Sequence, residues 1–209
     1  MTRPSKYLDI AMIESGKKII IESGIRSLTI ANVCGQANVN PGMFSYCFKT
    51  KDNFLLKVIR SVFIEFSAFV QIENVSDCST LEQLKFCFRK LCEFCLPRKH
   101  LFPELFIDVT KNKNLCEKAV ELIKENHILF KLIQQCLYEG YFDTTLSAFD
   151  IFAMVIVGSL QSTVLCDTTD DRSVDEKLRI ILKGLLKEKF RNEKDSISFV
   201  LGWRRFLGI

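Results

Sequence analysis

The sequence predicts an all-α protein, and three observations support that prediction. Apolar residues recur at helical spacing along almost the whole chain of 209 residues. Only four prolines and nine glycines interrupt the pattern, whereas eighteen phenylalanines supply large side chains for a core. A content of 48% apolar and 26% charged residues is typical of a folded domain and excludes disorder as the main state. We expect about nine helices.

The first two predicted helices are separated by a glycine. The first covers residues 5–23 and ends at Gly24, because glycine readily adopts the left-handed conformation that closes a helix. Thr29 is placed to cap a short second helix, Ile30–Ala37. The core side of these two helices is predicted to comprise Leu8, Met12, Ile19, Ile20, Ile30, Val33 and Ala37.

A tight turn and a third helix follow. Asn38 stands where a left-handed residue would turn the chain, and asparagine is the best choice for that after glycine. Asn40-Pro41 is a helix start, since asparagine caps free amides and proline at the first helical position has its φ preset. Two short helices joined by a tight turn have the spacing of a helix-turn-helix.

Six further helices are predicted after the third, and no linker separates them. We therefore divide the chain into a head, residues 1–50, and a helical-bundle body, residues 51–209, joined by the long fourth helix. Pro97 is expected to stop the fifth helix and Gly140 to end the seventh. The six are predicted over Thr50–Val70, Thr80–Leu96, Pro103–Thr110, Leu115–Tyr138, Thr145–Cys166 and Ser173–Phe190.

Positive charge is concentrated in the first part of the chain. Residues 1–60 carry nine Lys and Arg against four Asp and Glu, which gives a net charge of +5. The rest of the chain carries a net charge of −1. A basic head on a neutral body favours contact with a polyanion, although ordinary solvation explains the same charge.

The run from Thr29 to Leu55 resembles the DNA-binding signature of the TetR (tetracycline-repressor) family of transcriptional regulators. It departs from the family at Asn38, where glycine is usual, and at Ser45, where tyrosine is common. Pro41 and Met43 replace more polar residues. The matching positions are Thr29, Ala37, Val39, Gly42, Phe48, Lys51, Asp52 and Leu55.

The resemblance implies a homodimeric regulator with an N-terminal three-helix DNA-binding head and a C-terminal body that binds a ligand and dimerises. It further implies double-stranded DNA as partner and a small hydrophobic effector that releases a repressor from its operator. Val39, Phe44 and Phe48 are expected to face the core of the head, and Lys51 to meet a phosphate. The predicted DNA-binding residues are Thr29, Asn40, Pro41, Gly42, Met43, Ser45, Tyr46 and Lys51.

The body is unusually aromatic, and core packing is the simpler explanation. The resemblance implies in addition a cavity among the middle helices, which an aromatic lining would suit to a hydrophobic molecule. His127 is expected near the inward side of its helix, either as a hydrogen-bonded core histidine or as a contact to the ligand. The candidate ligand residues are Phe88, Phe106, His127 and Phe130.

Two stripes near the C-terminus fit a helical dimer interface, because the last two long helices of the resembled family pair with their copies. One stripe consists of small residues and the other of larger apolar ones; burial inside one protomer is the alternative. The candidate interface residues are Val155, Ser159, Ser162, Val174, Leu178, Ile181 and Leu185.

Other function classes receive less support. His100 and His127 lie in no catalytic or zinc-binding motif, so we expect no enzyme, no cofactor and no metal. Cys92 and Cys95 form a single CxxC that either belongs to the core or senses metal or redox state. A degenerate helical module that no longer binds DNA is the second alternative.

Features of the sequence that bear on localisation predict a cytoplasmic protein without stable membrane insertion. Asp9 and Glu14 interrupt the apolar run that an export signal needs, and the nine cysteines are an odd number. Ile151–Leu165 is too short and too polar for a membrane span. The tail around Trp203 is expected to dock on the body as an amphipathic helix, with a partner or membrane surface as the alternative.

Overall fold

A computed structural model describes residues 6–98, 101–165, 176, 179–180 and 182–187. Within these ranges the protein is helical, and its one β feature is an isolated antiparallel bridge between Phe142 and Leu186. The all-α prediction is confirmed. The helices are α1 (Lys6–Ser23), α2 (Ile30–Ala37), α3 (Pro41–Phe48), α4 (Lys51–Val70), α5 (Thr80–Cys95), α6 (Leu101–Thr110), α7 (Lys113–Asn126), α8 (Ile128–Tyr138) and α9 (Ala148–Leu165).

The helices pack in two groups that share α4. In the head, α1 packs against α2 and α4, and α2 leads through the turn into α3. In the body, α5 packs against α4, α8 and α9, while α7 packs against α4 and α6. Helix α6 of the body also contacts α1 of the head. Helix α1 therefore packs against both α4 and α6. The buried apolar residues form one continuous core.

The helix predicted over Leu115–Tyr138 is in fact two helices, α7 and α8. His127 breaks it, because this residue adopts an extended conformation with φ −89° and ψ 116°. No glycine or proline marks the break, which is why the periodicity of the sequence continued through it. Gly24 and Gly140 follow α1 and α8 with positive φ of 78° and 73°, but the ψ of Gly24 is 165°, so Gly24 ends α1 without the predicted left-handed helical conformation.

The predicted helix Ser173–Phe190 lies largely outside the described residues. Residues 182–185 are helical, but Leu186 is not. Backbone bonds to another segment replace the helix there: the Asp143 amide donates to the Leu185 carbonyl at 2.8 Å, and the Lys187 amide to the Tyr141 carbonyl at 3.0 Å. The prediction of a helix through Phe190 is therefore wrong.

One predicted core residue, Ile30, and the large apolar residue Phe69 are exposed. Ile30 is 41% exposed, whereas α2 buries the predicted Val33 together with Cys34, so that Cys34 takes the place of Ile30 on the buried face. Phe69 is 43% exposed near the end of α4, where the ammonium group of Lys90 lies 5.6 Å from its ring centroid.

Candidate DNA-binding site

Helix α2 begins at a side-chain cap. The hydroxyl oxygen of Thr29 accepts a hydrogen bond from the Asn32 amide at 3.1 Å. The Asn32 side chain donates in turn to the Ser27 carbonyl at 2.8 Å, which fixes the approach to the helix. Thr29 is thus an N-cap as predicted, and it is exposed on the surface of the head.

The turn between α2 and α3 has the predicted conformation. Asn38 is left-handed, with φ 54° and ψ 45°, and the Val39 amide donates to the Cys34 carbonyl at 2.9 Å. Asn40 then caps α3, because its side-chain oxygen accepts from the Gly42 amide at 2.8 Å. The turn and the cap therefore lead from α2 directly into α3.

Gly42 protects this cap. A Cβ atom at this position would lie 3.2 Å from the Asn40 side-chain oxygen, so the capping oxygen would have to move by a few tenths of an ångström. Gly42 is among the predicted DNA-binding residues, and a glycine there would let the backbone approach DNA closely. The structure gives it a second role in the cap itself.

Three phenylalanine rings hold α3 on the head. The ring centroids of Phe44 and Phe48 are 5.1 Å apart, and Phe54 of α4 lies 5.1 Å from the first and 4.9 Å from the second. All three rings are nearly fully buried. Such tilted and edge-on pairs stabilise a core beyond simple burial. Because Phe54 belongs to this cluster, the first turns of α4 contribute to the core of the head, although residues 51–209 were assigned to the body.

The opposite face of α3 is open to solvent. Pro41, Gly42 and Ser45 are exposed, Met43 is half-buried, and Tyr46 is 64% exposed. These residues and the exposed Asn40 are therefore accessible to a partner. What they contact in a complex stays a prediction.

The connection from α3 to α4 is equally well defined. Lys49 adopts a positive φ of 65° and closes α3, and Thr50 caps α4 by accepting from the Asn53 amide at 3.1 Å. Lys51 follows as the exposed first residue of α4. Lys51 is thus carried on a capped helix start, three residues after the last residue of α3.

Three polar contacts connect the head, the shared helix α4 and the body helices α6 and α7. The side chain of Asn112, which caps α7, donates to the Asp52 carboxylate at 2.9 Å. The amide of Ile25 donates to the Glu104 carboxylate of α6. The buried Lys17 of α1 pairs with the Glu65 carboxylate of α4. The sequence did not predict these contacts, because a lysine or an asparagine whose partner is far away in the chain leaves no periodic signal.

The candidate ligand residues are buried in the body. Phe88, His127 and Phe130 are at most 4% exposed, whereas the side chain of Phe106 lies outside the described residues. The ring centroid of Phe152 lies 4.9 Å from that of His127 and 5.9 Å from that of Phe130. Both candidate residues therefore pack against the same phenylalanine ring. Two surface grooves, one along α7 and one between α1, α4 and α6, do not include them.

The candidate interface residues separate into buried and undescribed ones. Val155 and Leu185 are 2% and 4% exposed within the single chain, so they offer no surface to a second copy. Their assignment to an interface is wrong, because the core of one protomer already covers them. Ser159 and Ser162 lie on α9 without described side chains, and Val174, Leu178 and Ile181 lie outside the described residues.

The CxxC cysteines are core residues. Cys92 and Cys95 are each 1% exposed, and burial raises the pKa of the Cys95 thiol. In α3, burial and a hydrogen bond with Asp9 raise the pKa of Cys47 to about 11. Thiols with raised pKa values are poor nucleophiles and poor metal ligands. Across the described ranges, no group of three or more His, Cys, Asp or Glu side chains is arranged to hold a metal ion.

The described part of the chain contains no helix that is both long and apolar enough to cross a membrane. His100 and the tail around Trp203 lie outside the described residues.

Solved structures of TetR-family regulators share this architecture. One from Rhodococcus sp. matches with a TM-score of 0.66 at 18% identity, over 85% of this chain and 97% of the other. One from Shewanella sp. PV-4 gives 0.67 at 12% identity, over 87% and 99%. The TetR-family repressor FadR of Thermus thermophilus, solved with lauroyl-CoA, gives 0.63 at 16% identity, over 86% and 96%. No protein-family model and no curated protein matches the chain. The chain therefore has the fold of the TetR-family transcriptional regulators.

Proposed function

We propose that this protein is a DNA-binding transcriptional regulator whose α3 enters the major groove. The observation that carries the proposal is the contrast between the two faces of α3. Phe44 and Phe48 anchor one face in the core, while Ser45 and Tyr46 extend from the other into solvent. A short helix that is rigidly held and open on one side is what a helix-turn-helix uses to reach base edges.

The residues divide into positioning and reading roles. Lys51 and the capped start of α2 at Thr29 contact phosphates, which orient the head without reading sequence. Met43, Ser45 and Tyr46 face the bases. Because a methionine offers only an apolar contact, such as one to a thymine methyl group, hydrogen-bonded readout depends on Ser45 and Tyr46.

The regulator acts as a homodimeric repressor that a small hydrophobic effector releases from DNA. Two heads reach successive major grooves when their α3 helices lie about 34–36 Å apart. An effector in the body that favours a different spacing lowers the affinity for DNA. Support for such coupling comes from the contact of Glu104 with the head and of Asn112 with the start of α4. Support for the dimer comes from the apolar side chains of Met154 and Ile180, which are 46% and 62% exposed.

Selection from random duplexes followed by fluorescence anisotropy tests the DNA-binding proposal. We expect one enriched sequence, with an affinity that falls steeply as salt rises. Tyr46→Ala should change the preference among bases, whereas Tyr46→Phe, which keeps the ring, isolates the contribution of the hydroxyl. Binding that is absent, or that shows neither sequence preference nor salt dependence, would instead support the degenerate helical module.

Sedimentation tests the dimer separately. We expect a dimer at micromolar concentration, and Met154→Glu combined with Ile180→Glu should produce a folded monomer with weakened operator binding. A wild-type protein that sediments as a monomer under these conditions would refute the dimer, while DNA binding by a single head would still be measurable.

A further inference from the structure

His127 occupies an unusual place, at the break between α7 and α8. Its backbone is fully paired: the amide donates to the Ile123 carbonyl at 2.9 Å, and the carbonyl accepts from the Lys131 amide at 3.2 Å. The residue is only 4% exposed. The backbone thus explains how the break is tolerated, but it does not explain why a histidine stands there.

Three phenylalanine rings surround the imidazole. The ring centroids of Phe63 and Phe152 lie 4.7 Å and 4.9 Å away, each with the planes inclined at 75°. Phe66 lies 5.5 Å away at 37°. Because Phe63 and Phe66 belong to α4 and Phe152 to α9, the imidazole joins three elements of the body.

The Nδ1 atom of His127 is buried without a hydrogen-bond partner among the described residues. Leaving a buried polar atom unpaired costs about 1–3 kcal/mol, so an apolar residue would serve better here if packing were the purpose. Burial also lowers the pKa of His127 to about 3, and no charged group contributes to that shift. The imidazole is therefore neutral, with one nitrogen that donates and one that accepts.

We propose that His127 is the polar contact of a binding site for an uncharged, largely apolar molecule that carries a hydroxyl group. Nδ1 forms a hydrogen bond with the hydroxyl, and the rings of Phe63, Phe66 and Phe152 contact the apolar part. The inference rests on the proposed function, since it specifies the chemistry of the effector. A charged ligand would be buried there without a compensating charge, at a high cost in free energy.

Entry of such a molecule has to separate at least one ring from the imidazole. Phe63 is half-buried, whereas Phe66 and Phe152 are 2% and 5% exposed. The Phe63 side is therefore the accessible one. Binding at this position replaces ring contacts with ligand contacts and gives Nδ1 the partner that it lacks.

Nitrogen NMR of the histidine side chains tests the hydrogen bond directly. The chain contains two histidines, so a His100→Gln variant leaves the imidazole of His127 as the single signal. Each hydroxyl probe is paired with a methyl analogue of similar shape: 4-ethylphenol with 4-ethyltoluene, and 2-naphthol with 2-methylnaphthalene. We expect a hydroxyl probe, but not its methyl analogue, to shift the Nδ1 resonance in a saturable manner. The inference is overturned if neither hydroxyl probe shifts it, or if the analogues shift it equally.

A His127→Phe variant provides the second measurement, because it keeps a ring of similar size and removes the polar atom. We expect its affinity for the hydroxyl probe to fall about tenfold and its thermal stability to be equal or higher. Retention of full probe affinity in this variant would also overturn the inference. DNA binding is measured without any probe, so a protein that binds DNA but ignores the probes refutes only this inference.

Discussion

Asn112 connects the start of α7 to the start of α4 by two hydrogen bonds from one side chain. Its amide nitrogen donates to the Asp52 carboxylate at 2.9 Å, and its oxygen accepts from the Leu115 amide at 3.2 Å. The body is thereby fixed to the second residue of α4, next to Lys51. One side chain thus serves both as a helix cap and as a link to the start of α4, which carries the candidate DNA-binding residue Lys51.

The two roles of Asn112 can be separated by substitution. Asn112→Ala removes both and should lower the free energy of unfolding by about 1–2 kcal/mol. Asn112→Ser keeps a capping oxygen but is too short to reach Asp52, so about half of that loss should remain. Urea unfolding monitored by circular dichroism measures both values. Equal losses in the two variants would show that the cap contributes nothing.

Gly16 and Gly35 form a matched pair of helical glycines. A Cβ atom at Gly16 would lie 2.6 Å from the Phe54 ring, whereas one at Gly35 would meet no atom within 4 Å. Gly16→Ala should therefore destabilise the head by about 1–3 kcal/mol through overpacking. Gly35→Ala should stabilise α2 by about 0.5–1 kcal/mol through helix propensity. Thermal unfolding of both variants measures these two changes in stability. Changes of the same sign would contradict the packing of α1 on α4.

Lys51 should contribute to DNA binding through charge alone. Lys51→Ala should weaken binding to every duplex and lower the slope of log affinity against log salt by about one per half-site. Lys18→Ala is the control, because Lys18 lies on α1 beside Glu22, at the groove toward the body. A slope that stays constant in Lys51→Ala, or that falls equally in the control, would remove Lys51 from the interface.

His127 should make stability depend on pH. In the unfolded chain the imidazole takes up a proton below its ordinary pKa of 6.5, whereas burial lowers the pKa in the folded protein to about 3. Since the unfolded state binds more protons in that window, stability falls with decreasing pH by about 1.4 kcal/mol per pH unit. The difference in unfolding free energy between wild type and His127→Phe should accordingly change by about 2 kcal/mol from pH 7.5 to pH 5. A difference that is constant with pH would show that the imidazole is not buried.

The cysteines should differ sharply in their reactivity. Cys78 is exposed, whereas Cys87, Cys92 and Cys95 are buried. With iodoacetamide and peptide mass spectrometry, Cys78 should be labelled roughly a hundredfold faster than these three, which react only when the protein opens. Rapid labelling of Cys92 or Cys95 in the folded protein would return the cysteine sensor to consideration.

The sequence by itself determined the local structure of the head. Thr29, Asn38, Asn40 and Thr50 act within a few residues of themselves, as caps or as the left-handed turn, so their roles follow from the order of residues alone. The inward direction of Phe44 and Phe48 follows from helical spacing for the same reason. The DNA-binding residues remain a prediction, but the surface that carries them was predictable.

Only the tertiary structure decided the features that depend on residues far apart in the chain. The break at His127 accompanies the contact of its imidazole with rings from α4 and α9, which no local signal marks. The burial of Val155 and Leu185 inside one protomer, and the contacts of Lys17 and Asn112, likewise depend on which helices meet. Apolar periodicity shows that a residue is covered, but it cannot show whether its own chain or a second copy covers it.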